Sequence, residues 1–390
     1  MVNMDLSSLL ILLILILVLI SILITIYNNI KFTKINLNTS NNAINDDNND
    51  LYYRCNIYNS NKPTIIGLNK SKLEHTNNVK SNWKLYLPCG YNYVEEELAA
   101  IKASDVKNKI IFAIDGCDNI AGKNNLWNLL VKYHGRKEAS TIMPVTYIID
   151  DETDMNLFKR EYKLENTYVL KKNIQRKKGI TILSNYNEIM KISKKENYKV
   201  IQNYIKNLYL IEKRKINIRL YIVFTCKPNS DGSVTKEGYL YYKGKCIYTN
   251  KDYNDNFTAD ESHLTSVNLD NDIYLKCPET LQELKEYLGD YHYNKLWITI
   301  INQFSKLFSA VKNNICNLEN LKKAHRFQIF GADVILDSNL HPYILELNKG
   351  PEMKYKSPQD EKLKSKIYTD LFCLVNIDKE CSSNNKWIKL

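Results

Sequence analysis

Three side chains near the C-terminal end of the sequence could hold a divalent cation. Asp333, Glu346 and Asn348 lie within residues 327–348, whose sequence is FQIFGADVILDSNLHPYILELN. The apolar residues on both sides of Asp-Ser-Asn predict two β-strands joined by a tight polar turn. Carboxylate and amide oxygens are hard donors, and Mg²⁺ takes one or two carboxylates and completes its shell with water and substrate phosphates. The pattern therefore predicts a magnesium site on this hairpin.

The register of the hairpin decides whether these side chains can act together. A turn centred on the Ser-Asn pair places Asp333 opposite Ile344 and Glu346 opposite Gly331. Cross-strand partners share a face of the sheet, so Asp333, Glu346 and Asn348 would point to the same side. Diagonal neighbours lie roughly 7–8 Å apart, a gap that one cation can bridge. Taken alone, such a hairpin is more often structural, so other elements have to support a metal role.

A basic loop between two short strands has the composition of a phosphate-binding hairpin. Thr167–Lys171 is an apolar strand that leads into the loop NIQRKKG, residues 173–179, and Ile180–Leu183 resumes strand character. Lysines supply positive charge, and the backbone amides of a glycine-containing loop can approach an anion. The loop lacks the glycine spacing and the Lys-Ser/Thr pair of a Walker motif. A solvated, lysine-rich turn remains the alternative.

Arg219 lies on a strand that is otherwise largely apolar. The strand covers Ile216–Thr225, and its alternation places Asn217, Arg219 and Tyr221 on one face. Burying an arginine is costly unless an anion meets it. That anion could be a structural carboxylate or a ligand, and the sequence does not choose between the two.

Four further elements are predicted from periodicity and turn residues. They are a helix at Asn125–Tyr133, a strand at Lys199–Ile205, a hairpin of Tyr239–Tyr242 and Cys246–Thr249 around Lys-Gly-Lys, and a helix at Tyr293–Lys312. The last helix repeats its apolar residues with the 3.6 period, which predicts that one of its faces packs on the core.

Composition limits the class of protein and its partners. The chain has 390 residues, enough for two or three structural units, and a formal net charge of +11. A basic body favours an acidic partner, although a lysine-rich solvated surface explains the charge more simply. Nucleic acid is not favoured as a partner, because no aromatic-basic recognition motif is present. Nine cysteines without a Cys-x-x-Cys pair argue against a zinc site and a disulfide scaffold, and fit a reducing compartment.

An uncharged apolar run near the N-terminus predicts a membrane anchor. Leu9–Ile26 is 18 residues long, and such a run spans roughly 27 Å as a helix, enough for a bilayer core. The run lacks the basic segment and cleavage site of a secretory signal, which favours a retained helix. Asp5 precedes the run, and Lys31 and Lys34 follow it. The positive-inside rule therefore predicts a single-pass membrane protein whose body faces the cytosol.

The order of the motifs is more specific than any one of them. A strand ending at Lys171 is followed by Lys178-Gly179-Ile180, VIQNYI at 200–205 and RKxxxRLY at 214–221. His263-Leu264-Thr265, FGAD at 330–333 and ELN at 346–348 complete the series. This ordered set resembles the tubulin tyrosine ligase-like family over residues 124–351. The resemblance implies the fold class α+β, with an ATP-grasp fold of mixed and antiparallel sheets.

The resemblance also implies ATP and Mg²⁺ as cofactors and assigns a site by position. Asp333, Glu346 and Asn348 would hold one or two Mg²⁺ ions, and Asn348 would also contact ATP. Arg219 would be catalytic, facing the transferring phosphoryl group or the acceptor carboxylate. The remaining ATP-binding residues would contact the phosphates and the base, or form the hinge against which adenine lies: Lys171, Lys178, Gln202, Asn203, Tyr204, Ile205 and Lys215.

The implied activity joins a free amino acid, most readily glutamate, to a carboxylate of an acidic protein tail, from tubulin or another protein. ATP would first phosphorylate the acid, and an amine would then displace phosphate from the acyl phosphate. Three departures lie near the acceptor, where the family has Asp, Arg and Asn and this chain has Asn217, Tyr242 and Ser266. They keep open an alternative: a catalytically weak nucleotide-binding module that tethers an acidic protein partner to a membrane.

The expected organisation places these elements in sequence. An anchor at 1–30 and an asparagine-rich linker at 31–50 precede an N-terminal domain at 51–105. A central ATP-grasp domain at 106–205, a C-terminal ATP-grasp domain with the Mg-ATP site at 206–376 and a tail at 377–390 follow. Glycosylation sequons at Asn38, Asn69 and Asn256 would matter only if the body were lumenal.

Overall fold

A computed structural model of the chain describes residues 50–390 apart from seven short gaps. The gaps are residues 56–60, 91, 174–178, 258–260, 266–268, 379–380 and 382–385. Among the described residues, no helix is both long and apolar enough to cross a bilayer. The predicted anchor, Leu9–Ile26, lies outside the described residues.

Fifteen strands and ten α-helices are found in this part of the chain. The strands are β1 (Leu51–Tyr53), β2 (Glu74–Thr76), β3 (Trp83–Tyr86), β4 (Ile110–Ile111), β5 (Thr146–Ile148), β6 (Tyr168–Lys171), β7 (Ile180–Leu183), β8 (Val200–Asn203), β9 (Leu210–Ile211), β10 (Arg214–Pro228), β11 (Val234–Tyr241), β12 (Lys245–Tyr248), β13 (His325–Leu336), β14 (Pro342–Asn348) and β15 (Trp387–Lys389). The helices are α1 (Lys62–Lys70), α2 (Val94–Ala100), α3 (Cys117–Ala121), α4 (Lys123–His134), α5 (Arg136–Ile142), α6 (Glu152–Glu161), α7 (Tyr186–Lys195), α8 (Leu281–Leu288), α9 (Asp290–Val311) and α10 (Pro358–Leu374).

The strands form one large mixed sheet and one small antiparallel sheet. The large sheet has the order β15-β11-β10-β13-β4-β3-β1-β2, with β12 and β9 also paired to β10, and β14 paired to β13. Strands β1 to β4 and β13 pair in parallel, whereas the pairs made by β10 are antiparallel. The small sheet has the order β5-β8-β6-β7, with antiparallel pairs throughout. The predicted mixed α+β class is confirmed.

Strand β10 separates two hydrophobic cores. Ile218, Leu220 and Ile222 face one core, which includes Phe304 of α9. Tyr221 and Val223 face the other, which includes Phe372 of α10. The predicted alternation along this strand is confirmed, and it leaves Asn217 and Arg219 on the side of the second core.

The predicted pairing of β11 with β12 is wrong. Both strands pair with β10 instead: Leu240 lies opposite Ile222, and Lys245 lies opposite Arg219. Strand β10 is 15 residues long, so it accommodates both partners one after the other along the same edge. The Lys-Gly-Lys segment is therefore a break within one edge of the sheet rather than the turn of a hairpin. Gly244 suits this break, because a Cβ there would lie 2.6 Å from the Arg219 carbonyl oxygen.

The predicted register of the β13–β14 hairpin is also wrong. Asp333 lies opposite Glu346, and Gly331 lies opposite Asn348. Beyond Asp333 the register shifts, and Val334 pairs with Ile344, so β14 carries an extra residue there. Such a bulge cannot be placed from a turn motif alone. The shared face nevertheless remains, because Asp333, Glu346 and Asn348 occupy paired positions on the same side.

The other predicted elements are found with shifted ends. Strands β6 and β7 form the expected hairpin, with Lys171 opposite Ile180. The strand predicted at Lys199–Ile205 is the shorter β8, and the helix predicted at Asn125–Tyr133 is α4. The amphipathic helix is α9, which begins after Gly289, a residue with φ of 77°. Its apolar face is buried, as the 3.6 period predicts.

The cysteines do not follow the prediction, which argued against disulfides. Three disulfides join Cys55 to Cys89, Cys226 to Cys316 and Cys373 to Cys381. The partners are 34, 90 and 8 residues apart in sequence. No short sequence motif therefore predicts these disulfides. The three other cysteines are buried thiols: Cys117, Cys246 and Cys277.

Candidate functional site

Charged side chains form a row across three adjacent strands at the centre of the large sheet. Arg219 of β10 lies opposite Asp333 of β13, which lies opposite Glu346 of β14. The Arg219 guanidinium donates to both oxygens of Asp333, from Nε at 2.7 Å and from a terminal nitrogen at 3.0 Å. Sequence reasoning left open whether Arg219 meets a carboxylate or a ligand. In the structure it meets Asp333.

The environment opposes charge on Asp333 and favours charge on its arginine partner. Burial raises the pKa of Asp333, Arg219 opposes that rise, and the nearby Glu346 carboxylate adds to it. Burial by itself would lower the pKa of Arg219, but the carboxylate of Asp333 outweighs burial and raises it. The bidentate pair is therefore the stable arrangement while no other cation competes for Asp333.

Glu346 has a different set of cationic neighbours. The Lys123 Nζ lies 3.2 Å from one Glu346 carboxylate oxygen, and the Asn348 amide donates to the other oxygen at 3.1 Å. Burial alone would raise the pKa of Glu346, but Lys123 and Lys171 lower it to about 2. Sequence reasoning missed Lys123. Lys123 lies two residues before the predicted helix Asn125–Tyr133, and nothing in the surrounding sequence distinguishes it from other lysines.

Lys171 lies at the boundary between the small sheet and this row. Its ammonium donates to Gln202 Oε1 at 2.6 Å, and the Gln202 amide in turn donates to Thr146 Oγ1 at 2.8 Å. Burial lowers the pKa of Lys171 to about 8, against the opposing effect of Glu346. Gln202 therefore acts in this structure as the residue that holds Lys171, with its own side chain buried in the sheet.

Lys215 forms a second buried cationic position. Its ammonium donates to the His263 carbonyl oxygen at 2.8 Å and lies 5.3 Å from the centre of the Tyr204 ring. Burial, together with the charge of Lys171, lowers the pKa of Lys215 to about 7. Tyr204 contacts His263 through its hydroxyl and the ring Nδ1, 2.9 Å apart. His263, which was noticed only as part of a motif, thus joins two predicted site residues.

The other predicted site residues make few contacts with the charged row or lie outside the described residues. Asn203 and Ile205 are half-buried on either side of Tyr204. Lys178 lies outside the described residues, so its predicted contact with ATP stays a prediction. Two of the three departures can be located: Asn217 donates to Thr265 Oγ1 at 3.1 Å, and the Tyr242 ring lies 5.2 Å from Lys243 Nζ. The third, Ser266, is outside the described part of the chain.

The donor set at the centre of the row fits a hard divalent cation. Directly opposed residues of neighbouring strands have Cβ atoms about 4.5–5.5 Å apart, closer than the diagonal spacing expected from the predicted register. Two facing carboxylates therefore meet, one held by Arg219 and the other by Lys123 and Asn348. A cation between Asp333 and Glu346 would relieve the repulsion from Glu346 that adds to the effect of burial on the pKa of Asp333.

Known proteins of one family are similar to this chain over most of its length. A family model described as the tubulin-tyrosine ligase family matches residues 103–385, well over half of the chain. This chain belongs to the tubulin-tyrosine ligase family. The predicted resemblance is therefore confirmed, and the match extends at both ends beyond the residues on which the prediction was based.

Similar proteins within this tubulin-tyrosine ligase family are named as polyglutamylases. "Probable tubulin polyglutamylase TTLL9" of Mus musculus is 28% identical over 202 residues, which cover 49% of this chain and 41% of the mouse protein. "Probable tubulin polyglutamylase ttll-9" of Caenorhabditis elegans is 24% identical over 261 residues, covering 62% of this chain and 60% of the worm protein. "Tubulin polyglutamylase TTLL5" of Homo sapiens is 28% identical over 283 residues, covering 65% and 21%. The chain thus spans less than two thirds of each relative's length.

Proposed function

We propose that this chain is an ATP- and Mg²⁺-dependent ligase that joins an amino acid to a carboxylate of an acidic protein tail. The observation that carries the proposal is the direct opposition of Asp333 and Glu346, with Arg219 bound to Asp333 in the same row. Family membership supports the reaction class, and the names of the similar proteins favour tubulin as acceptor and glutamate as the added amino acid.

The nucleotide site would use Lys171 and Lys215 as its main phosphate-binding cations. Both ammonium groups are already removed from water, and each is held by a neutral oxygen of Gln202 or of the His263 backbone. A phosphate that enters this low-dielectric site would meet stronger attraction than it would in water. The phosphates of ATP would provide the anionic partner that, among the described residues, neither buried ammonium group has in a direct ion pair.

Mg²⁺ would be held by Asp333, Glu346 and Asn348, where it would neutralise charge on the phosphates. The protein's own task is to keep the acceptor carboxylate and the γ-phosphate in line and to exclude water. Arg219 would face the transferring phosphoryl group from the neighbouring strand. The acyl phosphate that forms would then be attacked by the amine of the incoming amino acid, with phosphate as the leaving group.

A catalytically weak, nucleotide-binding tether for an acidic protein is the second candidate. It is favoured by the acceptor side, where Asn217 makes a neutral contact with Thr265 and Tyr242 replaces an arginine. Loss of one carboxylate and one arginine leaves the local charge balance unchanged. These two replacements change which acceptor groups can be bound. They leave Lys171 and Lys215, the lysines of the proposed nucleotide site, in place.

The deciding experiment supplies the full chain with Mg-ATP, labelled glutamate and tubulin. Incorporation that disappears in Glu346→Gln and persists in Glu361→Gln is expected from the ligase. Glu361 is the matched control because it is exposed on α10. Nucleotide binding with no incorporation of any amino acid would instead establish the tether.

The ATP-grasp assignment, the domain bounds and the membrane anchor are part of the same proposal. The anchor predicts that alkaline carbonate leaves the full-length protein in the membrane pellet. The orientation of the body is open to a direct test, because the positive-inside rule favours the cytosol whereas disulfides persist in oxidising compartments. Glycans on Asn38 or on the exposed Asn69 would place the body in the lumen and overturn the cytosolic orientation.

A further inference from the structure

The charged row continues beyond Arg219 onto a fourth strand. Lys245 of β12 lies opposite Arg219 of β10. Cross-strand partners share a face, so Lys245, Arg219, Asp333 and Glu346 all lie on one side of the sheet. This alignment depends on the break between β11 and β12, because an uninterrupted hairpin would have removed Lys245 from the edge of β10.

Lys245 is held by a buried carboxylate. Its Nζ lies 3.0 Å from a Glu279 carboxylate oxygen, and the two side chains are 13% and 7% exposed. The same Glu279 oxygen accepts a hydrogen bond from Ser357 Oγ at 2.6 Å. Arg219 is also 13% exposed. Lys245 and Arg219 therefore lie side by side on one face of the sheet, with the same small exposed fraction.

A second lysine beside this pair is engaged differently. Lys364 Nζ lies 2.8 Å from Asp360 and 2.6 Å from the Lys354 carbonyl oxygen, and its side chain is 5% exposed. The Asp360 carboxylate is fully buried, and its other oxygen is 3.8 Å from Lys245. Lys364 is thus a structural cation that closes the N-terminal end of α10, and it is not part of the row.

We propose that Lys245 and Glu279 form the subsite for the free amino acid, with Lys245 binding its carboxylate and Glu279 its ammonium group. This inference rests on the proposed ligase function and names the residues that select its second substrate. A zwitterion placed between the two members of an ion pair leaves the charge balance unchanged, so no unpaired charge is buried at any stage. Arg219 pairs with Asp333 in the structure and is already assigned to the phosphoryl group, and the Tyr239–Tyr242 segment carries no cation.

The test measures binding of L-glutamate to the full chain by thermal shift and calorimetry, with Mg²⁺ and a non-hydrolysable ATP analogue present. Lys245→Met, which keeps the length of the side chain, is expected to weaken glutamate binding about tenfold or more. Lys245→Arg should restore most of the affinity. Lys243→Met, at an exposed lysine two residues away, is the matched control and is expected to leave glutamate affinity unchanged.

The kinetic signature separates binding from a structural role. In the incorporation assay, Lys245→Met should raise KM for glutamate while the affinity for the ATP analogue stays at the wild-type value. Equal glutamate affinity in the wild type and Lys245→Met would overturn the subsite, as would a wild type that binds none of the twenty amino acids. A wild type that binds glutamate but incorporates none would refute the ligase and leave the subsite standing.

Discussion

Replacing Arg219 should make the stability of the protein depend on magnesium. In the wild type, the bidentate guanidinium neutralises Asp333 opposite a second carboxylate, Glu346. Arg219→Met leaves both acids in a buried site, and breaking a buried pair costs about 3–5 kcal/mol. Because the two side chains retain 13% and 16% exposure, we expect the lower end of that range, about 3 kcal/mol.

A divalent cation should recover most of this loss. A ligand that binds only the folded state adds about 2.7 kcal/mol of stability at a hundred times its dissociation constant. The assay is urea unfolding of wild type and Arg219→Met at matched ionic strength, with MgCl₂ or with KCl. The wild type should gain less from magnesium than the variant, since Arg219 already occupies one carboxylate.

The double variant Arg219→Met/Asp333→Asn is the control for this prediction. It removes one of the two opposed acids, so its stability should exceed that of Arg219→Met without magnesium and should respond weakly to magnesium. The reasoning is refuted if Arg219→Met gains no more from magnesium than from potassium. It also fails if the double variant gains as much as the single one, because the cation would then bind elsewhere.

Three further predictions concern the lysines, the disulfides and the strand break. The pKa of Lys215 is lowered by burial to about 7, far below its value in the unfolded chain, so the unfolded state binds more protons above that pH. Stability should therefore rise with pH from about 7 towards 10, and Lys215→Met should flatten that rise in unfolding curves measured across this range. Removing the Cys226–Cys316 disulfide by a double change to serine should lower the free energy of unfolding by about 2–4 kcal/mol, with non-reducing peptide mapping of the wild type as the check on the bond. Gly244→Ala should destabilise the protein by about 1–3 kcal/mol, because the added methyl group meets the Arg219 carbonyl oxygen. Gly90→Ala should cost less, because its added methyl would make only ordinary contacts at 3.6 and 3.8 Å.

Secondary structure was predicted correctly from the sequence where a single periodic pattern of apolar residues determines a single strand or helix. Strand β10 and helix α9 were predicted because their apolar residues repeat every two and every 3.6 positions, and both cores follow from those repeats. The residue types of the proposed metal site were recognised for a related reason. Asp333, Glu346 and Asn348 alternate with apolar residues, and that alternation survives a shift of register by two positions.

Long-range pairing was not predictable from the same patterns. The partner of Arg219 is 114 residues away in sequence, and the partner of Cys226 is 90 residues away. Lys123 reaches Glu346 from the start of α4, a place where a lysine has no distinguishing neighbour. Each of these contacts depends on which strands are neighbours in the sheet. In a mixed sheet the neighbours of a strand are determined by the topology of the whole chain and not by local sequence.

The two errors in strand pairing lie on either side of the row, and they explain why the row itself was not predicted from the sequence. The bulge in β14 brings Glu346 directly opposite Asp333, where a simple turn would have left the two carboxylates on a diagonal. The break before β12 brings Lys245 opposite Arg219, where a simple hairpin would have paired β12 with β11. Both irregularities cost regular backbone pairing, and both place a charged side chain next to another across the sheet. With regular strand pairing, the sheet would contain the same charged residues, but they would not lie opposite one another. Deletion of Leu345 would leave Glu346 opposite Asp333. Insertion of one residue there should instead move Glu346 out of the row and abolish the magnesium response in urea unfolding, while β10 and its two cores remain folded.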